Sequence, residues 1–527
     1  MKNRRFSAQL LSALVLAAGT LVLTSCAHKI YYYPQYGYAG RPVPPSGLLQ
    51  RVLASYTANG TSGGLEILDG LRNLRGNIQN TTPSFFVSGF SASQPVQIFN
   101  FPEQQRGYIL SYTDGSLDAV NYSTEAGSGA VESVGANPPS VAAAPDGSVF
   151  AGASEASGQV AVTAYGGSYA LSLPNVNKVV INRGANIILA MLRNSNTLYR
   201  VVKLPSSNNP VPPPGAIDCQ PLLLPLFCVV PVGNTNSAGT PGAAYDHPID
   251  AYFSLDGNTV YIMNCGPECG GTRAGVTFLQ TGALDINNVP TVNPLSAATP
   301  LSPIGVANPI AIPGGVTTAV SDGTTLYLSG QSIQTGGLLG GNLTSINLNT
   351  YVASSPLAIS DGTHTRMLFA DDSTLWVGST QCANGVRAAK AASELASQGF
   401  TDQAGNYNCL TMVKLGATPT ATIIPAVVQS SVSGTKSVQV SYPNTNQNLY
   451  YYGSLTGICW IENDHKVYTA YGGQIHAFYT GGTINTAFDP ALGQTPAAGT
   501  EIDNSNVTVQ GTVLDVAYMD ATTNSVN

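Results

Sequence analysis

One phrase recurs along this chain: a short apolar run, a tight polar turn and a second short apolar run. Val141-Ala142-Ala143-Ala144 passes through Pro145-Asp146-Gly147-Ser148 into Val149-Phe150-Ala151. The stretch from Ala251 to Ile262 has the same form around Asp256-Gly257, and that from Thr318 to Leu328 repeats it around Asp322-Gly323. Looser copies run from Met367 to Val377 around Asp371-Asp372 and from Cys459 to Tyr468 around Asn463-Asp464. Val179 to Leu189 keeps the shape with an altered turn, and Phe99 to Leu110 is the weakest copy. Runs this short, rich in Val, Ile, Tyr and Phe, predict strands rather than helices. Asp-Gly predicts the hairpin between them, because Asp accepts nearby backbone amides and Gly tolerates positive φ. A third apolar run follows each pair, at 116–122, 159–165, 197–203, 275–278, 342–346, 410–414 and 474–478.

These copies make seven units of three or four strands, with turns roughly 40 to 90 residues apart, which predicts an all-β chain folded as a seven-bladed β-propeller. Two stacked β-sandwiches are the alternative. The runs 64–68 and 511–518 lie outside the units, and either could complete the final blade and remove its open edge. The Ser/Pro-x-Asp-Gly-x-x-hydrophobic phrase resembles the blades of bacterial YVTN/NHL/TolB-like propellers over roughly residues 83–520. That resemblance implies the fold and leaves the activity open. Insertions interrupt the units: a Pro/Asn/Ser loop at 205–214, an apolar stretch at 219–228, a Pro-studded excursion at 287–315, and one short predicted helix at 386–397.

The first residues read differently. Met1-Lys2-Asn3-Arg4-Arg5 is a basic head, and Leu10 to Leu23 is an apolar run too short for a span of about 20 residues. It ends in Leu23-Thr24-Ser25-Cys26, which resembles the lipobox of bacterial lipoproteins. That resemblance implies diacylglycerol on the Cys26 thiol. Ala27, by similarity to enterobacterial sorting, implies the outer membrane rather than the inner. The expected organisation is a signal peptide at 1–25, a lipid-anchored Tyr/Pro-rich linker at 26–50 and a propeller domain at 51–527. The linker's tyrosines could also touch the membrane interface or cell-wall polymers.

Charged residues are only 9% of the chain, Gly numbers 56 and Pro 34, which favours tight turns over long helices. The net charge of −7 is spread out and gives no basic patch, so nothing points to nucleic acid. In an exported protein, close cysteine pairs predict staples. The candidates are Cys219 with Cys228, Cys265 with Cys269, and Cys382 with Cys409; Cys459, in an apolar run, is expected to be a buried thiol. The Cys265-Gly-Pro-Glu-Cys269 spacing lacks the second pair that a zinc site needs.

No His-Glu-x-x-His, Gly-x-Ser-x-Gly or phosphate loop is present. His247 and Asp250, in Asp246-His247-Pro248-Ile249-Asp250, are the candidate channel ligands; a strand-opening turn is the plainer reading. No cofactor is expected, Ca²⁺ being the one metal that the Asp-rich turns bring to mind. The expected function is a membrane-tethered, non-catalytic binding or scaffold propeller of the cell envelope, with a protein, peptide or glycan as ligand. The alternative is a metal-assisted, lactonase-like hydrolase or lyase with its site in the channel.

Overall fold

A computed structural model describes residues 43–48, 50–70, 85–164, 166–207, 209–233, 245–291, 309–371, 373–382, 385–386, 389, 409–424, 453–481, 497–501, 509 and 511–521. Cys26 and the signal peptide expected at 1–25 lie outside these residues. The described strands form eight separate antiparallel sheets. Seven begin as meanders in chain order, and each contains one predicted hairpin with its third strand: 95–133, 140–172, 176–232, 248–311, 318–358, 363–424 and 455–479. These are blades 2 to 8. In 176–232 the order reverses at the outer edge, Phe227–Val232 pairing with Leu198–Lys203 and Asp218–Gln220 lying outside it. Blade 1 joins the two ends of the chain: Arg51–Thr57 pairs with Thr512–Tyr518, the register running from Val52 opposite Tyr518 to Thr57 opposite Thr512. Gly63–Asp69 and then Phe85–Phe86 extend the sheet outward from Arg51–Thr57.

The propeller therefore has eight blades, not seven. The terminal strands were expected to complete one of the repeated units, but each unit already supplies its own sheet. The leftover strands pair with each other into an additional composite blade, leaving no unpaired inner edge at the closure. A pair of stacked sandwiches is ruled out by the same sheet order. The short helix expected at 386–397 lies almost wholly outside the described residues. Among those residues no α-helix is delimited, and one i to i−4 bond, from the Ala389 N–H to the Gly385 carbonyl, is all that is described of it.

The first strand of blades 2 to 8, and the C-terminal strand of blade 1, are innermost, and from blade 3 round to blade 8, blade 1 and blade 2 each packs against the next. The core follows from this. The inner strands of each blade bury both faces against adjacent blades, as in Val149–Ser154 and Lys466–Tyr471, so apolar clusters fill the eight gaps between blades. Leu53, Ile67 and Ile109 join blades 1 and 2; Val162, Leu171 and Ile188 join blades 3 and 4; Trp376, Leu455 and Phe478 join blades 7 and 8. Cys459 is a buried free thiol between blades 8 and 1, and burial pushes its pKa up.

The meander gives the disc two unlike faces. On the turn face lie the Asp-Gly hairpins, where Gly147, Gly257 and Gly323 take φ of 67°, 74° and 92°. Asp146, Asp256 and Asp322 accept the N–H two residues on, from Ser148, Asn258 and Thr324. Where the Gly is missing, Gln105, Ala185, Asp371 and His465 adopt the left-handed conformation instead. On the opposite face, the start face, the innermost strands begin.

Candidate functional site at the channel mouth

Six of the innermost strands carry one extra residue near their beginning: Val96, Asn177, Ile249, Thr365, Thr456 and Leu514 each lack a partner on the neighbouring strand. Such a bulge re-aims the side chain beside it. The residues that follow are Gln97, Lys178, Asp250, Arg366, Gly457 and Asp515, so five of the six positions place a polar residue near the start-face end of an innermost strand.

These side chains engage one another across blades. Lys178 Nζ of blade 4 lies 3.0 Å from Asp250 Oδ1 of blade 5. Arg366 of blade 7 reaches past blade 8: its Nε donates to the Thr456 carbonyl at 3.1 Å, and its Nη2 lies 3.4 Å from Asp515 Oδ2 of blade 1. The Asp515 carboxylate also accepts the Ile98 N–H of blade 2 and its own Val516 N–H, both at 2.9 Å. Burial raises the Asp515 pKa, while the Arg366 guanidinium and the two amides act in the opposite direction. Glycine is required at 457 because a Cβ there would stand 2.3 Å from Asp515 Oδ1 and 2.7 Å from the Val516 nitrogen. His364, just before the Arg366 bulge, is fully buried and donates from Nε2 to the Ser360 carbonyl at 2.8 Å; burial pushes its pKa down to about 4.

His247 does not join this set. It takes φ of 52°, its carbonyl accepts the Cys265 N–H, and its ring packs by Gly270. Asp246 ties the same loop by accepting the N–H of Thr272 and of Arg273. Of the two channel candidates, Asp250 therefore sits at the mouth and His247 in the rim loop. No sequence motif marks Lys178, Arg366 or Asp515. The available signal was a charged residue directly before, or within, an otherwise apolar strand, as in Lys178-Val179-Val180 and Arg366-Met367-Leu368.

Three disulfides are formed: Cys219–Cys228, Cys265–Cys269 and Cys382–Cys409. The last two follow second strands and lie on the start face. Among the described residues, the group with metal-ligand geometry is Cys265, Glu268 and Cys269, and its two sulfurs are bonded to each other. The Glu268 pKa is raised by burial, against the pull of its own amide and that of Gly266.

No family model matches this chain, and no curated protein matches it. Several solved structures are similar to it at a low level. Dihydro-heme d1 dehydrogenase NirN is 12% identical, covering 97% of this chain and 87% of its own, with a TM-score of 0.42. The periplasmic gluconolactonase PpgL of Pseudomonas aeruginosa is 11% identical over 89% of this chain and 98% of its own, with a TM-score of 0.38. Hydrazine synthase of Kuenenia stuttgartiensis is 14% identical over 64% and 80%, also at 0.38. Likenesses at this level carry no argument about chemistry. The β-propeller assignment stands on the sheet order and the ring closure.

Proposed function

We propose that this chain is an extracytoplasmic, lipid-anchored propeller of the bacterial envelope that acts by binding rather than catalysis, holding an envelope protein, peptide or glycan over its start face. The supporting observation is how the charges at the channel mouth are used. Lys178 with Asp250, and Arg366 with Asp515, are bound to each other across blades. Catalytic or metal-bound carboxylates would instead converge on a common point. A mouth of paired charges, flanked by disulfide-tied loops, suits recognition of a polar surface that can exchange partners with those pairs. The anchor rests on the Leu23-Thr24-Ser25-Cys26 lipobox resemblance.

The test uses the mature chain as bait on solubilised envelope, beside a Lys178→Ala/Arg366→Ala variant. Capture of a partner by the parent and its loss from the folded variant supports the reading. Tightly bound Ca²⁺ or Zn²⁺ together with lactone hydrolysis would replace it with the hydrolase reading. Mass spectrometry of the mature N-terminus checks the acyl chains on Cys26 independently.

A further inference from the structure

Between Lys203 and Asp246 the chain has one charged residue, Asp218. Its carboxylate is already engaged, accepting the Ser172 N–H at 2.7 Å and the Cys219 N–H at 2.8 Å. Beyond it, the Cys219–Cys228 disulfide closes a hairpin between Asp218–Gln220 and Phe227–Val232 on the outer edge of blade 4. The tip of that hairpin is Pro221-Leu222-Leu223-Leu224-Pro225. Leu222, Leu223 and Leu224 are 81%, 93% and 58% exposed, and Val211 and Ile217 of the same insertion are exposed as well. A stapled hairpin that holds three adjacent leucines away from the core presents a surface for something apolar.

The meander fixes which face it occupies. Phe227 pairs with Lys203, the last residue of the blade's third strand, and third strands end on the turn face. Leu255 and Val352, on the turn-face loops of blades 5 and 6, are also exposed. The chain's N-terminal approach comes in on that same side. Arg51 accepts the Met519 N–H at the end of the closing strand, and the Ser46 N–H donates to Glu125 in the turn-face hairpin of blade 2.

We propose that the turn face is the membrane-facing side and that Leu222, Leu223 and Leu224 insert into the interface of an electrically neutral bilayer. The proposal rests on the lipid-anchor reading for what brings a bilayer within reach. Residues 26–42, between Cys26 and the described chain, span at most about 60 Å when extended, which sets the tether's reach. Between Lys203 at its base and Asp246 the insertion has no Lys or Arg to seek anionic headgroups, so attraction at its tip is apolar rather than ionic. The start face, with its ring of paired charges, is then directed away from the membrane.

The experiment is vesicle sedimentation of the mature chain carrying Cys26→Ser, which removes the acyl chains and leaves the tip to act alone. Phosphatidylcholine vesicles should retain it, adding phosphatidylglycerol should not strengthen retention, and L222S/L223S/L224S should weaken it at least tenfold (on the order of 1.4 kcal/mol). A Leu223→Trp variant should show a blue-shifted emission on the same vesicles; it also decides the matter should the triple variant not fold. Retention untouched by the triple substitution, retention only on anionic vesicles, no retention at all, or an unshifted Trp would overturn the proposal. Capture of a protein at the tip without vesicle binding would do so too. An unacylated native Cys26 combined with leucine-dependent retention would instead reject the anchor and leave the tip assignment standing.

Discussion

At the scale of single residues, the channel mouth is held by two positions that tolerate little change. His364 is buried beside the Arg366 bulge and stays neutral at pH 7, with its pKa pushed down to about 4. An ordinary His of pKa about 6.5 binds its proton more readily in the unfolded chain, so folding stability is complete above pH 6.5 and falls as the pH drops towards 4. Between pH 7 and 4.5 this one group should cost about 2–3 kcal/mol. His364→Gln keeps a donor for the Ser360 carbonyl and does not titrate. Denaturant unfolding at the two pH values should therefore show a shallower acid loss for the variant, and equal slopes would refute the assignment. Gly457 makes the second case. In Gly457→Ala the new methyl meets the Asp515 carboxylate and the Val516 backbone, which cannot both move aside, so a loss of about 1–3 kcal/mol is expected as a lower unfolding midpoint.

At the scale of elements, the hairpins were legible because their chemistry is local. Asp146-Gly147, Asp256-Gly257 and Asp322-Gly323 specify their own turns, and the apolar runs around them follow directly. The turns at Gln105, Ala185, Asp371 and His465 were harder to read because they use non-Gly residues at positive φ, held by the strands on either side. Bulges were invisible for a related reason. One additional residue breaks the two-residue alternation for a single step, and which residue is left over depends on the partner strand. That is why Asp250 could be marked from its neighbours, whereas Lys178 and Arg366, which meet their partners only across blades, could not. The disulfides followed from cysteine spacing together with the expected export of the chain. Cys382 and Cys409 are 27 residues apart and tie an insertion to the start face. By loop-closure entropy, a Cys382→Ser/Cys409→Ser variant should lose up to about 3–4 kcal/mol, read in a thermal melt. A melt matching the parent's under oxidising conditions would mean that the bond is not formed in the isolated protein.

At the scale of the whole molecule, the decisive event is closure, and no local pattern announces it. Arg51 and Asp520 stand at opposite ends of the described chain, yet Arg51 Nη2 lies 2.7 Å from Asp520 Oδ1, and Arg51 Nη1 lies 3.0 Å from Glu125 Oε1 in blade 2. All three are buried. The guanidinium thus ties the first strand, the last strand and the neighbouring blade at one point on the turn face, beside the segment that leads back towards Cys26. A buried cation between two buried carboxylates contributes modest net stability, but removing it leaves negative charge without its counterpart in a low-dielectric site. Arg51→Ala should cost about 3–5 kcal/mol, more than an ordinary surface substitution by several-fold. Its signature should also be regional. Amide exchange should accelerate first in Arg51–Thr57 and Thr512–Tyr518, the strands whose pairing completes the ring, while blades 4 to 6 keep their protection. Uniform acceleration through all eight blades would mean that the ring opens as one unit. Unchanged exchange in the two terminal strands would mean that the Arg51 cluster does not hold the closure.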